Sequence, residues 1–462
     1  MTARRREFSR AHRGYFLALT ATISAFAVID RIALLTVGQA IKDDLGISDF
    51  EFGLVSGLAF AAVYALVGLP LARLADTGNR VRLIAWSIAI WSVFSMLGGF
   101  ARSFVQLMLC RVVVGIGEAG VQPPAVAIVS DLYPREKRGT ALALLSIGLP
   151  VGTLAGAIGA GYLADAYSWR TVFVILGVPG LLLALIAWAT LRDPPRGLSD
   201  GLVVAAGDPA PRTLDTIRHL ARLRSFRHIV AGLALTYFAA AGIGSFLPQY
   251  FARTFALGLG ATGLMFGLVA SGSNLVGNVA GGVTVDWISR RDPRWYAWLP
   301  GIGIFCAAPL YILSFTIPEP VLATAVLVLA GMVLFLHYAP AQAALQNMVE
   351  PRMRATAAFV FFFIVTMLGY GVGPTLLGLV SDMLAARAFA PGDFAAACLG
   401  GAADPATAAR CRHASARGIG QAMTAMSGLF FWAGIHFLIA ARTVAADLYP
   451  VAGTGDRAAG II

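Results

Sequence analysis

Twelve stretches of roughly twenty or more residues, each almost wholly apolar, follow one another along this chain. A segment of that length matches the hydrocarbon thickness of a bilayer. In lipid it must satisfy its own backbone polar groups, which a helix does and an isolated strand does not. The stretches cover roughly 14–37, 51–71, 82–101, 104–129, 139–164 and 170–191, then 228–251, 262–285, 295–316, 319–347, 356–381 and 421–442. The alternating ten-residue pattern of an outer-membrane barrel is absent. Only 13% of the 462 residues are charged, about half the share usual in soluble domains, and mean hydropathy is +0.76. A soluble enzyme, a nucleic-acid-binding module and a single-span receptor are excluded. The expected fold is an all-α membrane protein with twelve transmembrane helices.

The net charge of +11 would point to nucleic acid in a soluble protein. Its distribution gives another reading. With the amino terminus placed in the cytoplasm, 25 of the 35 Lys and Arg residues fall on the inner side, 8 on the outer side and 2 inside spans. That excess predicts cytoplasmic termini for a multi-pass protein of the plasma membrane, which in a bacterium is the inner membrane. No nucleic-acid partner is needed to account for the charge. The first stretch carries Asp30-Arg31 and is too long for the core of a cleavable signal peptide, so it is expected to remain as a span.

The chain repeats. Asp76-Thr-Gly-Asn-Arg80 matches Asp286-Trp-Ile-Ser-Arg290, Arg138-Gly-Thr-Ala141 matches Arg354-Ala-Thr-Ala357, and Gly161-Tyr-Leu-Ala-Asp165 matches Gly378-Leu-Val-Ser-Asp382. Six spans per repeat is an even number, so the two halves run parallel, related by an axis along the membrane normal. The expected domains are a six-helix bundle over 1–191, a cytoplasmic linker over 192–227 and a second bundle over 228–462. The end of the linker has Leu214, Ile217, Leu220 and Leu223 at helical spacing among arginines, which predicts either a short surface helix or a solvated strand of linker. A long outer loop is expected over 382–420, where Cys398 and Cys411 could form a disulfide or stay free.

Four charges lie deep in spans: Asp30, Arg31, Arg111 and Glu118. Each costs about 2.5–3.5 kcal/mol or more at mid-membrane, which makes a functional role the default reading. Arg111 and Glu118 are two helical turns apart and share a face with Gln122. Arg31 shares a face with Ser24 and Thr20, while Asp30 points about 100° away. An acid and a base on each of two helices can pair across the cleft. Protonating the acid then frees its arginine for an anionic group. The second half offers uncharged polar stripes: Ser271, Asn274 and Asn278; Tyr338, Gln342 and Gln346; Thr366, Tyr370 and Gly373. Thr20, Ser24, Gln122, Asn274, Tyr338, Gln342 and Tyr370 are therefore the candidates to line a cavity. His337 could relay a proton or simply pack. Clustered metal ligands and nucleophile–base arrangements are not apparent, so neither an enzyme nor a metal site is expected.

Asp76 to Arg82, Arg111-Val-Val-Val-Gly115-Ile-Gly117 and the glycines Gly139, Gly148, Gly152 and Gly156 resemble signatures of the major facilitator superfamily. Two positions depart from them: Thr77 replaces a usual basic residue and Thr153 replaces the proline of the fifth-span motif. In such a pair of bundles, acids beside arginines at the cytoplasmic helix ends can latch the halves together, here Asp76, Arg80 and Arg138 with Asp286, Arg290 and Arg354. The combination Asp30-Arg31, Arg111 to Glu118-Ala-Gly, Pro123-Pro124 and Ser130 to Ala141 resembles a bacterial member of the Spinster family. The resemblance implies a carrier, expected to be monomeric, that uses the proton gradient and no cofactor to move a lysolipid-like or sphingoid-phosphate-like molecule. It implies Asp30 and Glu118 as proton-sensitive acids, with Arg31 and Arg111 meeting the anionic head. The runner-up is an organic-anion:proton symporter of the same superfamily, for a sugar acid or carboxylate.

Overall fold

The computed structural model describes residues 9–133, 135–195, 198, 213–349, 363–399 and 401–448. Among the described residues, twelve helices are long and apolar enough to cross a membrane. Spans 1–6 are Ala11–Thr36, Asp49–Ala75, Arg80–Gly98, Phe104–Leu132, Thr140–Ala166 and Trp169–Thr190. Spans 7–12 are Arg224–Phe255, Leu259–Ile288, Trp295–Ser314, Pro320–Leu345, Val365–Phe389 and Pro405–Ala440. The first and last described residues, 9 and 448, share one face. The opposite, distal face carries the links that follow the odd-numbered spans.

Local chemistry starts these helices where they start. Ser9, Asn79, Ser103 and Ser168 each accept a hydrogen bond from a backbone N–H in the first turn that follows them. Ser48 and Glu51 form a reciprocal capping box ahead of span 2. Such caps satisfy donors that the helix itself leaves unpaired. Span 4 is broken between Ala119 and Gln122, where Gly120 ends one helix and Pro123 and Pro124 open the next. Glu118 therefore sits in the last turn before an interruption.

One correction concerns span 12. It begins at Pro405 rather than near 421, so the expected loop over 382–420 does not exist as a loop. Span 11 continues to Phe389, and the link holds a short helix, Phe394–Cys398. The stretch Ala406–Gly420 reads as polar because of its arginines, but its alanines favour helix. Asp404 starts that helix by accepting from the N–H groups of Ala406 and Thr407, with Pro405 in the first turn. Cys398 and Cys411 are joined in a disulfide, their Cα atoms 5.6 Å apart. In the linker, a helix is present over Thr213–Arg222, with Leu220 buried and Arg218, His219 and Arg222 exposed.

Glycines set the packing that positions span 1. A Cβ on Gly148 or Gly152 of span 5 would stand 2.5 Å from the carbonyl oxygens of Ala21 and Ala25, and one on Gly156 would stand 2.9 Å from the Cα of Ile29. The fifth-span stripe thus seats span 1 at near-backbone contact, directly alongside Asp30 and Arg31. On span 4, Gly117 packs equally tightly on Ser87 and Trp91 of span 3. Hydrogen bonds join the two bundles near the distal ends of spans 2, 5, 7, 8 and 11, and Ser271 donates to the Pro150 carbonyl nearer mid-span.

Candidate functional site

The four membrane-buried charges meet inside the first bundle, between spans 1 and 4, and do not reach across to the second bundle. Arg111 Nη1 donates to Asp30 Oδ2 at 2.8 Å, and the Ser95 hydroxyl of span 3 donates to the other Asp30 oxygen. Arg31 Nη2 donates to Glu118 Oε2. Consecutive residues of span 1, of opposite charge, are thus matched to two residues of span 4 that are two turns apart. Three of the four are closed to solvent: Asp30, Arg111 and Glu118 are 3–4% exposed. The Arg31 side chain is 38% accessible, and its guanidinium lies over the Phe60 ring, 4.4 Å from the centroid. Phe60 in turn stacks on Tyr64, with centroids 5.7 Å apart. Glu118 Oε1 and the Nε atoms of Arg31 and Arg111 are buried without a hydrogen-bond partner. Such groups are costly to leave unpaired, so this cluster has capacity that its present contacts do not use.

The second bundle brings one phenol near Arg31. Tyr370 of span 11, 47% exposed, lies within electrostatic reach of the Arg31 guanidinium, as Tyr64 does from the first bundle. Tyr338 lies within reach of Gln342, one turn along span 10, and of Tyr370 and Tyr237. Of the seven expected lining residues, Tyr370 thus stands near the Arg31–Glu118 pair, with Tyr338 near Tyr370. Gln122 Nε2 donates to Ser24 Oγ at 3.3 Å, below the break in span 4. Thr20 is buried, and its hydroxyl is bonded to the Phe16 carbonyl of its own helix at 2.7 Å, so it lines nothing. Asn274 accepts from Asn278 on span 8. His337 is buried with Nδ1 at 2.7 Å from the Leu334 carbonyl, and it packs against Tyr237 and Phe335 away from the charges.

In this conformation Arg80, one of the expected latch residues, is held within its own bundle. This side chain is buried and binds Asp131, Asp193 and the Pro194 carbonyl, which clasps the ends of spans 3, 4 and 6 within one bundle. Having satisfied itself there, it does not reach the second bundle. Asp286 and Arg290 are exposed. The Asp76, Arg138 and Gln346 side chains and Arg354 lie outside what is described.

A second charged cluster, which the sequence reading did not foresee, sits on the distal face and does join the bundles. Asp49, buried at the start of span 2, accepts two bonds from Arg253 of span 7 at 2.8 and 2.6 Å, and one from Ser381 of span 11 at 2.7 Å. Lys42 also binds Asp49, and Arg253 Nε donates to Gln39 at 2.6 Å. Burial, with Arg253 beside it, holds the Lys42 ammonium below the ordinary lysine value. A cavity of about 420 Å³ lies over this network, lined by Lys42, Asp49, Arg253 and Asp382 together with the Cys398–Cys411 disulfide. Ser95 and Phe60 also escaped the sequence reading, because a serine or a phenylalanine in an apolar span carries no mark of its own.

Two parallel six-span bundles that meet along a distal seam, with two ion pairs held at mid-membrane inside the first bundle, define a membrane transporter. Residues 19–374 match the model of the Major Facilitator Superfamily, and the chain belongs to that family. It is 34% identical to an MFS-type efflux pump of Mycolicibacterium smegmatis over 80% of this chain and 83% of that one. It is 27% identical to the protein spinster of Drosophila melanogaster over 77% of this chain and 60% of that one, and 25% identical to a probable L-galactonate transporter of Escherichia coli over 67% and 70%. It superimposes with a TM-score of 0.85 on a crystal structure of a bacterial homologue of the human lysosomal transporter Spinster in an inward-facing, unoccupied conformation. That match has 31% sequence identity and covers 96% of this chain and all of the other. Within the superfamily, the chain is a transporter of the Spinster type.

Proposed function

We propose that this chain is a proton-coupled secondary transporter that carries an amphipathic, anionic or zwitterionic, lipid-like substrate by alternating access. The observation that carries the reading is the Arg31–Glu118 pair, in which the base is partly open to the cleft and the acid is sealed behind it. A proton arriving at Glu118 cancels the charge that holds Arg31. The guanidinium is then available to an anionic head without leaving the Phe60 ring, and Tyr370 and Tyr338 close over the same space from the second bundle. When the substrate leaves, Arg31 returns to Glu118 and expels the proton. Asp30 and Arg111 accompany the cycle as a second exchangeable pair. The excess of Lys and Arg supports cytoplasmic chain ends, with the distal face as the outer one. Because the protonated acid and the substrate-bound arginine coexist, proton and substrate travel together. The carrier, a monomer in a bacterial inner membrane, works as a symporter in the direction of the proton gradient.

The second reading is an organic-anion:proton symporter, which the E. coli L-galactonate relative favours. A thermal-shift panel of lysolipids against sugar acids at pH 5.5 and 7.5 separates the two. Stabilisation by lysolipids alone supports the lipid reading, and stabilisation by sugar acids alone overturns it. If neither class acts at either pH, both readings of the cargo fail.

A further inference from the structure

The distal seam contains the same device twice. Asp382, at the end of span 11, accepts from the backbone N–H groups of Asp49 and Phe50, which open span 2 in the other bundle, at 3.0 and 2.8 Å. Asp165, at the end of span 5, accepts from the N–H groups of Leu259 and Gly260, which open span 8 in the other bundle, at 3.0 and 2.7 Å. A shift of 217 residues carries Asp165 onto Asp382, and a shift of 210 carries Asp49 and Phe50 onto Leu259 and Gly260. The match extends one turn back. A Cβ on Gly378 would stand 2.2 Å from the Asp49 carbonyl oxygen, and one on Gly161 would stand 2.4 Å from that of Leu259. Further into the seam, Gly53 meets the Pro374 carbonyl at 2.6 Å and Gly263 meets that of Ala157 at 2.2 Å, again related by the same two shifts.

We propose that Asp165 and Asp382 are paired latches of the distal gate, each holding the first turn of a helix in the opposite bundle, and that the distal face opens only when both release. The chemistry favours a latch over a permanent weld. A carboxylate satisfies the orphan N–H groups of a helix start and its partial positive charge, and water can replace it there at modest cost once the helices part. Asp165 is exposed, so water is at hand for that exchange. The two arms differ in one respect. The Asp382 arm is reinforced by the bonds of Asp49 to Arg253, Ser381 and Lys42, whereas Leu259 occupies the matching position on the other side. The Asp382 arm is therefore the stronger.

This inference rests on the alternating-access reading, and the experiment separates the two. Spin labels at Arg102→Cys and Thr316→Cys, exposed distal positions in opposite bundles, report the gate in the full chain, with Cys110→Ser and Cys306→Ser removing the free thiols and the disulfide kept. Asp165→Ala and Asp382→Ala are each expected to raise the ratio of long to short distances by about 2- to 30-fold, the range of helix-cap contributions. The double variant should multiply the two effects. Asp404→Ala removes a carboxylate from a helix start within a single bundle and should leave the ratio unchanged. Asp→Asn at the two latch positions keeps the side-chain shape should an alanine variant fail to fold. If the parent shows two populations and neither the alanine nor the asparagine variants alter their ratio, the latch is wrong and alternating access stands. If no long-distance population appears in any protein between pH 5 and 8, both fail.

Discussion

Arg31 and Glu118 are bonded to each other, yet 38% of the arginine side chain is accessible and only 2% of the glutamate. The adjacent pair, Asp30 with Arg111, is closed on both sides at 5% and 3%. Two ion pairs between the same two helices therefore face different surroundings, and substitutions in them should have different consequences.

Replacing Glu118 by glutamine keeps the size of the side chain and removes its titration. Proton-driven uptake into proteoliposomes should fall at least about tenfold, corresponding to roughly 1.4 kcal/mol of lost coupling. Exchange of substrate down its own gradient should persist and lose its dependence on pH. A Glu118→Gln protein that concentrates substrate at the parent rate from pH 5 to 8 would remove the coupling role.

The closed pair should register first as stability. Removing one member of a buried pair costs about 3–5 kcal/mol, because the other charge is left uncompensated. Arg111→Ala and Asp30→Ala should each lower the melting temperature in detergent by many degrees, and the double substitution Asp30→Asn with Arg111→Gln should recover much of the loss. Arg31→Ala, by contrast, should leave the melting temperature near that of the parent while weakening binding of anionic amphiphiles. Equal melting temperatures for Arg31→Ala and Arg111→Ala would contradict the division.

The distal seam depends on glycine. Gly378→Ala places a methyl group 2.2 Å from the Asp49 carbonyl, and overpacking of this kind costs about 1–3 kcal/mol. The cost falls on the closed seam alone, so distance measurements across the distal face should show a larger open population. Gly159→Ala is the comparison: a Cβ there meets nothing within 4 Å, and the exchange should stabilise span 5 by up to about 1 kcal/mol. The reverse order of effects would mean that the seam tolerates the methyl group.

Lys42 predicts a slope with pH. Its folded value lies below the ordinary 10.5, mainly through burial and then through Arg253, so the folded protein binds fewer protons than the unfolded chain in the window beneath that value. Stability contributed through this group therefore rises as pH climbs toward 10.5. The melting temperature of the parent minus that of Lys42→Gln should increase between pH 8 and 10. A flat or falling difference would mean that the ammonium is not held in the buried position.

Legibility from sequence followed the cost of misplacing each residue. A charge in lipid is expensive and stands out, so Asp30, Arg31, Arg111 and Glu118 could be read directly, and helical spacing put the last two on one face. Which acid took which base could not be read, because it depends on the seating of span 1 against the span 5 glycines. Lys42, Asp49 and Arg253 looked like ordinary loop charges, and Asp49 and Arg253 stand 204 residues apart. Arg80 was read as part of a latch because its surroundings repeat at Arg290, while its partner Asp193 comes from a segment that the repeat does not duplicate. The start of span 12 was hidden by the arginines of an alanine-rich helix.

The doubled clasp has a consequence for how such a chain can be assembled. Each half contributes one aspartate and one helix start, and receives the complement of both. A six-span chain that paired with its own copy about a twofold axis would thus possess both distal closures with no further invention. In the joined chain, one copy of that shared position is free to become Asp49 while the other stays Leu259. The covalent fusion is what lets a symmetric closure acquire one strong side and one weak side.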